Sequence, residues 1–121
     1  MSKTAAQTLL ERYWDEVNNA GRVELIRDIC ADPIVRHDPK GVTTRLSHDE
    51  QIARVQFGLD EMGVHIDRVI THADDTFVTS IWNMQMTKKD GLEMCGIEVF
   101  KIVDGRLAEC WNTPYAEGQW G

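Results

Sequence analysis

The sequence lacks several features that define whole classes of protein. Among its 121 residues no apolar run approaches the roughly 18 residues of a membrane-spanning helix. Its three cysteines (Cys30, Cys95 and Cys110) are odd in number and show no Cys-x-x-Cys spacing, so neither a disulfide framework nor a zinc site is predicted. Basic residues number 13 against 20 acidic ones and are scattered along the chain, which argues against a nucleic-acid partner.

Residues 1–7 are polar and contain no signal-peptide apolar core, so we expect a cytoplasmic protein with no membrane partner. What is present is ordinary for a globular chain, with 42% hydrophobic and 27% charged residues. The length fits one domain, residues 1–121, which can bury a core without metals or disulfides.

Apolar spacing predicts three helices in the first half of the chain. The first covers residues 2–19 with Ser2 or Thr4 as its cap, and the second covers residues 23–30. A serine followed by an acid three residues later is a capping box, and this pattern at Ser47 predicts the start of the third helix.

The strands follow a different period. A short strand over residues 33–37 precedes the third helix. After Gly63 the apolar period changes from about 3.6 to two, which predicts four further strands: 64–73, 76–87, 92–103 and 106–113. This order predicts an α+β domain in which a cone-shaped, curved antiparallel β-sheet wraps around three N-terminal helices, a cystatin-like α+β roll. The mouth of such a cone is a natural pocket for a small ligand.

Strand alternation sorts the sheet into two faces. In strand 92–103 it places Glu98 and Phe100 on the same face, and in the last strand it places Cys110 and Leu107 on opposite faces. Both faces of strand 92–103 are largely apolar, so neither is expected to be freely solvated. We expect one face to cover the helices and the pocket, and the outer face to form a homodimer interface.

Two carboxylates stand in positions that suit proton transfer. Asp38 is fixed before Pro39 at the end of a strand, and Glu98 lies in the apolar run 95–100. A carboxylate in a buried strand is costly unless it is paired, hydrogen-bonded or kept neutral. If both acids line one apolar pocket, an ionised Asp38 acts as general base and a protonated Glu98 donates a hydrogen bond. This pair would remove a proton next to a carbonyl group and stabilise the resulting enolate.

Each of these residues also has a simpler explanation. Asp38 is a common turn residue before proline, and Tyr13 could be a core aromatic with a satisfied hydroxyl. Glu98 could be paired with a nearby arginine; the candidates are Arg12, Arg36 and Arg68. His37 competes with Asp38 as the base, because a regular strand points only one of the two into the pocket.

Further residues are predicted to form the pocket wall and rim. Those expected to contact the substrate are Trp82, Met84, Phe100, Asn112, His65 and Cys110. Aromatic and methionine side chains of this kind favour a hydrophobic ligand. No metal site is predicted, because His37, Asp38 and His65 have no defined ligand spacing. Trp120 predicts that the C-terminal tail docks on the domain.

Three motifs carry a resemblance to a known family: Glu11-Arg12-Tyr13, His37-Asp38-Pro39-Lys40-Gly41, and Ile97-Glu98-Val99-Phe100-Lys101 ahead of Asp104-Gly105-Arg106-Leu107. With the order of elements, they resemble the nuclear transport factor 2-like superfamily, in its ketosteroid isomerase and SnoaL-like polyketide cyclase branches. The resemblance implies Asp38 as general base, Glu98 as the acid that donates to the oxyanion and Tyr13 as a phenolic donor. It also implies that no cofactor and no metal take part.

Three positions depart from the pattern of this family. Glu98 is a glutamate where the isomerases have aspartate, so its carboxyl reaches one bond further into the pocket. Asn112 takes the place of the acid/base aspartate of the cyclases, and Cys110 that of a frequent histidine. The cyclase mechanism would therefore need Asp38 or His37 in that role.

The sequence thus predicts a cofactor-independent acid/base enzyme that acts on a small hydrophobic cyclic or aromatic carbonyl compound. Isomerase, cyclase and aldol-type lyase chemistry all pass through an enolate and are not separated. The alternative is a non-catalytic dimeric binding module that holds a hydrophobic ligand. A Glu98 that points at an arginine, in a cone filled by side chains, would exclude the enzyme. A protein-transport or scaffold role is the third possibility.

Overall fold

The first helical region packs against the inner face of the sheet. In the computed structural model, which describes residues 3–121, α1 covers Ala5–Arg12 and continues as a π-helical segment, Tyr13–Asn19. The hydroxyl of Thr4 caps α1 by accepting a hydrogen bond from the Gln7 amide at 3.0 Å. Ser2, the other predicted cap, lies outside the described residues. The buried side chains of this region include Leu10, Tyr13, Trp14 and Val17.

The remaining helical segments are a 3₁₀ turn at Val23–Leu25, α2 at Ile26–Ile29, α3 at His48–Phe57, and a π-helical segment at Gly58–Met62. The predicted capping box of α3 is confirmed. Ser47 Oγ accepts from the Glu50 amide at 3.2 Å, and the Glu50 carboxylate accepts from the Ser47 amide at 3.1 Å. None of the helices within residues 3–121 has the length and apolar character needed to cross a bilayer.

The strands are β1 (Cys30–Asp38), β2 (Val42–Leu46), β3 (Val64–Ala73), β4 (Phe77–Met86), β5 (Leu92–Val103), β6 (Arg106–Asn112) and β7 (Ala116–Glu117). Six of them form one curved sheet in the order β2-β1-β6-β5-β4-β3, and β7 pairs with β5. The helices cover the inner face of this sheet. The predicted α+β class is confirmed.

Two features of the sheet differ in detail from the sequence prediction. The sequence did not predict β2, which pairs antiparallel to β1. In addition, β1 pairs in parallel with β6, so the sheet is mixed. This parallel pair brings a strand from the first third of the chain next to the last long strand, and it determines which side chains meet at the site.

Alternation assigns the faces correctly along most of the sheet. Glu98 and Phe100 face inward and are buried, as predicted. Leu107 was expected to lie opposite Cys110, but both side chains are fully buried. The cause is a register shift between β5 and β6 close to their hairpin, which turns the start of β6 inward.

Candidate functional site

An apolar cavity opens between the helices and the inner face of the sheet. It encloses about 340 Å³, which lies within the range of small-molecule sites. Its wall is built mainly from Tyr13, Trp14, Val55, Ile66, Trp82, Met84 and Met86. Trp82 can lie flat against β5 because its cross-strand neighbour is Gly96; a Cβ there would stand 2.6 Å from Trp82 Cζ2. Glu98 is the only acid among the lining residues.

Strand register builds the polar side of this cavity. The parallel pairing of β1 with β6 places Arg36 beside Cys110, and the antiparallel pairing of β5 with β6 places Glu98 beside Asn112. All four side chains are buried. An arginine and a carboxylate therefore lie together against an otherwise apolar space.

Arg36 and Asn112 hold the Glu98 carboxylate in place. Arg36 Nη1 lies 3.7 Å from Glu98 Oε2. With its amide oriented to satisfy both neighbours, Asn112 donates to Glu98 and accepts from Arg36 Nη2 at 3.1 Å. Arg36 Nη1 also donates to the thiol of Cys110 at 3.7 Å. Among the three arginines considered from the sequence, Arg36 is therefore the partner of Glu98.

The environment of Glu98 changes its acidity. Burial raises the pKa of Glu98 to about 7, and the positive charges of Arg36 and Arg54 offset only part of this rise. A carboxyl group with such a pKa populates both protonation states at neutral pH. Glu98 can therefore donate or accept a proton in the range where an acid/base catalyst is most effective.

Tyr13 lines the same apolar cavity as Glu98. Its hydroxyl accepts a hydrogen bond from Gln51 Nε2 at 2.6 Å. Burial, followed by the charges of Cys30 and Glu98, raises the pKa of Tyr13. The phenol therefore stays protonated, and its own hydrogen remains to be donated to a ligand.

Asp38 lines a second cavity, which is polar and encloses about 350 Å³. The half-buried Asp38 ends β1, and alternation places it on the inner face with Arg36. It makes no side-chain hydrogen bond to the turn Pro39–Gly41 that follows it, so the simple turn explanation is not supported. The two acids thus line separate cavities. These cavities adjoin, because three residues line both of them: Arg36, Arg54 and Tyr115.

Arg54 and Tyr115 were not singled out from the sequence. Arg54 lies on α3, where its exposed side chain is typical of a solvated helix face. Tyr115 lies in the irregular segment that follows β6. In the sequence, only the aromatic content of the tail indicated a role for Tyr115 in the site, and no pattern indicated one for Arg54.

The C-terminal tail is anchored across β4 and β5, as Trp120 led us to expect. The Trp120 amide donates to Asn83 Oδ1 at 2.7 Å, and Asn83 Nδ2 donates to the Trp120 carbonyl at 3.1 Å. Gln119 Nε2 donates to the Met84 carbonyl at 3.2 Å. These contacts hold the tail near the cavities. Within it, the Tyr115 ring packs edge-on against Trp82, with 4.8 Å between the ring centroids.

His37 lies on the outer face of the sheet. Its Nε2 is 2.5 Å from Glu109 Oε2 and its Nδ1 is 3.2 Å from Thr43 Oγ1. Its ring stacks on Trp111 with 5.1 Å between centroids. Neither cavity is lined by His37. Because neighbouring residues of β1 point to opposite faces, the strand directs Asp38 toward the site and His37 away from it.

The predicted substrate-contacting residues are distributed between the cavities, the core and the surface. Trp82, Met84 and Asn112 each line one of the two adjoining cavities. Phe100 and Cys110 are fully buried in the core and line neither cavity. Phe100 instead supports the wall, with its ring 6.0 Å from that of Tyr13. The exposed His65 on β3 lies outside both cavities and lines a separate polar groove with residues such as Glu11 and Arg68.

Proton transfer and hydrogen bonding are the chemistry that these side chains can support. The carboxyl groups of Glu98 and Asp38 can transfer protons to or from a ligand. The Tyr13 hydroxyl and the arginines can donate hydrogen bonds to a negative charge that develops on it. Within residues 3–121 no group of three His, Cys, Asp or Glu side chains is arranged to hold a metal ion.

Solved structures share this fold at low sequence identity. A candidate polyketide cyclase from Acidithiobacillus ferrooxidans aligns with a TM-score of 0.78 and 24% identity, over 93% of this chain and 89% of that one. A candidate ketosteroid isomerase from Kribbella flavida aligns with a TM-score of 0.78 and 14% identity, over 97% and 82%. An LEH-like epoxide hydrolase from M. tuberculosis aligns with a TM-score of 0.74 and 13% identity, over 93% and 83%. Among curated proteins, none matches this chain.

The family is given by the sequence itself. The family model of the SnoaL-like domain matches residues 10–110, a range that includes Tyr13, Asp38 and Glu98. Asn112 and the tail with Tyr115 lie beyond the matched range. Because the match covers most of the chain, the protein belongs to the SnoaL-like domain family.

Proposed function

We propose that the protein is a cofactor-independent acid/base enzyme that acts on a small hydrophobic cyclic or aromatic carbonyl compound. The observation that carries this proposal is the Glu98 carboxyl, buried at the wall of an apolar cavity with its pKa raised to about 7. Perturbed acids in a cavity are typical of catalytic sites. The fold is shared with a candidate ketosteroid isomerase and a candidate polyketide cyclase, which supports the same class of chemistry.

In the proposed reaction the carbonyl group of the substrate lies where the two cavities meet. Asp38 takes a proton from the carbon next to the carbonyl, and the electron pair of the broken C–H bond moves toward the carbonyl oxygen. Protonated Glu98 and Tyr13 donate hydrogen bonds to the oxyanion that forms. Asp38 is preferred to His37 because it lines the polar cavity, whereas His37 contacts Glu109 on the outer face.

The enolate takes part in three reactions, which define the enzyme classes. Return of the proton to another carbon gives isomerisation, and attack of the enolate on a second carbonyl gives cyclisation. In aldol-type cleavage the hydroxyl proton is removed, the C–C bond breaks and the enolate that leaves is protonated at carbon. Isomerisation and cyclisation begin with proton abstraction from this carbon and cleavage ends with its reverse, so one experiment on proton exchange there tests all three together.

A non-catalytic binding module is the second candidate function. The contact between Glu98 and Arg36 at 3.7 Å favours it, because a buried acid that points at an arginine is also the geometry of a structural ion pair. The cone is not filled by side chains, however, and the apolar cavity keeps about 340 Å³. Both functions therefore require a hydrophobic ligand, and turnover separates them.

We further propose that the protein forms a homodimer through the outer face of the sheet. Large apolar side chains are exposed on its long strands, among them Ile70, Phe77 and Trp111. Phe77 and Trp111 lie side by side, with 6.3 Å between their ring centroids. An exposed apolar patch of this kind is typical of an interface, and a two-fold axis would let the same patch cover itself.

The proposed enzyme is tested by hydrogen–deuterium exchange at the carbon next to the carbonyl of cyclohex-3-en-1-one and of 1-tetralone, followed by proton NMR in D₂O. The wild-type protein should accelerate exchange above the buffer rate. Asp38→Asn should reduce the enzymatic rate by about a hundredfold or more, as expected for loss of a general base. Glu98→Gln should reduce it by about ten- to a hundredfold, as expected for a weakened oxyanion contact.

The matched control is Glu93→Gln, which changes an exposed glutamate on the same strand and should leave the exchange rate unchanged. Full exchange rates in both Asp38→Asn and Glu98→Gln would contradict the mechanism. Tight binding of both ketones by the wild type without any acceleration of exchange would instead support the binding module.

A further inference from the structure

Arg54 is a cation without a carboxylate partner at the junction of the two cavities. Five other arginines form ion pairs with acidic side chains: Arg12, Arg22, Arg27, Arg36 and Arg68. In the part of the chain that the structure describes, no carboxylate lies within ion-pairing distance of Arg54. A guanidinium that lines two cavities and has no carboxylate partner is available to an anionic ligand.

The charge of Arg54 acts on the interior of the site. Burial raises the pKa of Glu98, Tyr13 and Cys110, and the positive charge of Arg54 opposes this rise in each case. These three side chains lie on three different elements. Although Arg54 begins on the exposed side of α3, its charge therefore acts on these three buried groups.

The charges at the junction do not cancel. Arg36 is committed to Glu98 and Asn112, and Asp38 lines the polar cavity with Arg54 without forming an ion pair. Whenever Glu98 carries a proton, two arginines face one carboxylate. In a chain with a net charge of −7, this junction is a local site of positive charge.

The two cavities differ in character, and Arg54 is where they join. The apolar cavity is lined by side chains such as Trp82 and Met84. The polar cavity offers neutral hydrogen-bonding groups in Thr44, Asn112 and Thr113. A ligand whose apolar part fills the first cavity therefore meets Arg54 at the point where its polar part begins.

We propose that the ligand of this site is an aromatic or alicyclic acid, with its ring in the apolar cavity and its carboxylate bound by Arg54 at the junction. A guanidinium binds a carboxylate through two parallel hydrogen bonds, which gives orientation as well as affinity. This inference rests on the two-cavity site of the proposed function and narrows its substrate class. It does not depend on whether the site catalyses a reaction.

The test compares 2-naphthylacetate with its neutral analogue 2-naphthylacetamide, by calorimetry at pH 7.5 and low salt. We expect the acid to bind about tenfold more tightly than the amide, because one partly exposed charge pair is worth about that much. Arg54→Gln should remove this preference, because the affinity for the acid should fall about tenfold and that for the neutral amide much less. Arg54→Lys, which keeps the charge, should retain part of it.

Arg45→Gln is the matched control. Arg45 is an exposed arginine on β2 that lines neither cavity, so the acid should remain preferred by the same factor. Asp38→Asn removes the opposing charge and should increase the affinity for the acid. Equal binding of the two probes by the wild type, binding of neither probe, or a preference that survives Arg54→Gln would each overturn the inference.

These outcomes can be told apart from a failure of the proposed enzyme. Loss of the acid preference in Arg54→Gln, together with unchanged exchange rates in Asp38→Asn and Glu98→Gln, would support the ligand class and reject the catalytic mechanism. If both variants instead slow exchange as expected and the wild type shows no preference for the acid, the catalytic mechanism would be supported and the ligand class rejected.

Discussion

At the scale of single residues, the site is organised around Glu98, an acid buried in a largely apolar environment. Alternation along β5 was enough to predict that Glu98 points inward with Phe100. The sequence could not select Arg36 from the three candidate arginines, because the choice follows from the parallel pairing of β1 with β6. No local pattern in either strand encodes that pairing. Asn112 was placed near the site, but its role as a bridge between Glu98 and Arg36 also depends on register.

The raised pKa of Glu98 predicts a pH dependence of stability. The native state holds this proton more tightly than the unfolded chain, whose carboxyl has the ordinary pKa of 4.5. Between about pH 4.5 and pH 7 the unfolded state binds fewer protons than the native state, so the free energy of unfolding falls as the pH rises. A shift from 4.5 to about 7 corresponds to a loss on the order of 3 kcal/mol.

Urea unfolding of the wild type and of Glu98→Gln between pH 4.5 and pH 8 measures this effect. Other titrating groups are common to both proteins, so the difference between their unfolding free energies isolates Glu98. We expect this difference to move in favour of the variant by about 3 kcal/mol as the pH rises. A difference that stays constant across the range would show that the pKa of Glu98 is not raised.

At the scale of elements, α3 and the π-helical segment after it form one side of the cavity mouth. The sequence predicted this helix and its cap, since both are local patterns. It did not predict that Arg54 reaches the cavities, because this depends on how α3 packs across the open end of the sheet. The short strand β2 was missed for a related reason: five residues of mixed polarity between a turn and a helix cap show no clear period.

The capping box gives a prediction for the stability of α3. Ser47→Ala removes the hydroxyl that accepts from the Glu50 amide and leaves that donor without its partner at the helix start. We expect a loss of about 1 kcal/mol in the free energy of unfolding, measured in urea at pH 7. Ser47→Thr keeps an accepting oxygen and serves as the control. An alanine variant as stable as the threonine variant would mean that the cap contributes nothing.

At the scale of the whole molecule, the sheet separates an inner face with two cavities from an outer face with exposed aromatic rings. Alternation predicted these two faces from the sequence. It could not predict that the two acids line separate cavities, because cavity shape depends on the gap that the helices and the tail leave above the sheet. The tail in particular has no period, and only its contacts with Asn83 and Met84 place it.

The outer face gives a prediction about assembly. Trp111→Lys places a charge beside Phe77 in the exposed apolar patch of the outer face and should convert a dimer into a monomer, because an unpaired charge buried in an interface is strongly unfavourable. Sedimentation velocity at several protein concentrations measures the change. Val42→Lys, at an exposed apolar position on the edge strand β2, should leave the dimer intact. A wild-type protein that sediments as a monomer at every concentration would contradict the proposed interface.

The side chains that line both cavities affect how strongly short and long ligands bind. Arg54 and Tyr115 line both cavities, so a small molecule in one cavity contacts the same side chains as a small molecule in the other. The effect of the first on the affinity of the second must equal the effect of the second on the first. A single molecule long enough to fill both avoids a second loss of translational freedom, since binding of one end holds the other at a high effective concentration. Fragments of the natural ligand should therefore bind far more weakly than the intact molecule, even when every contact is preserved.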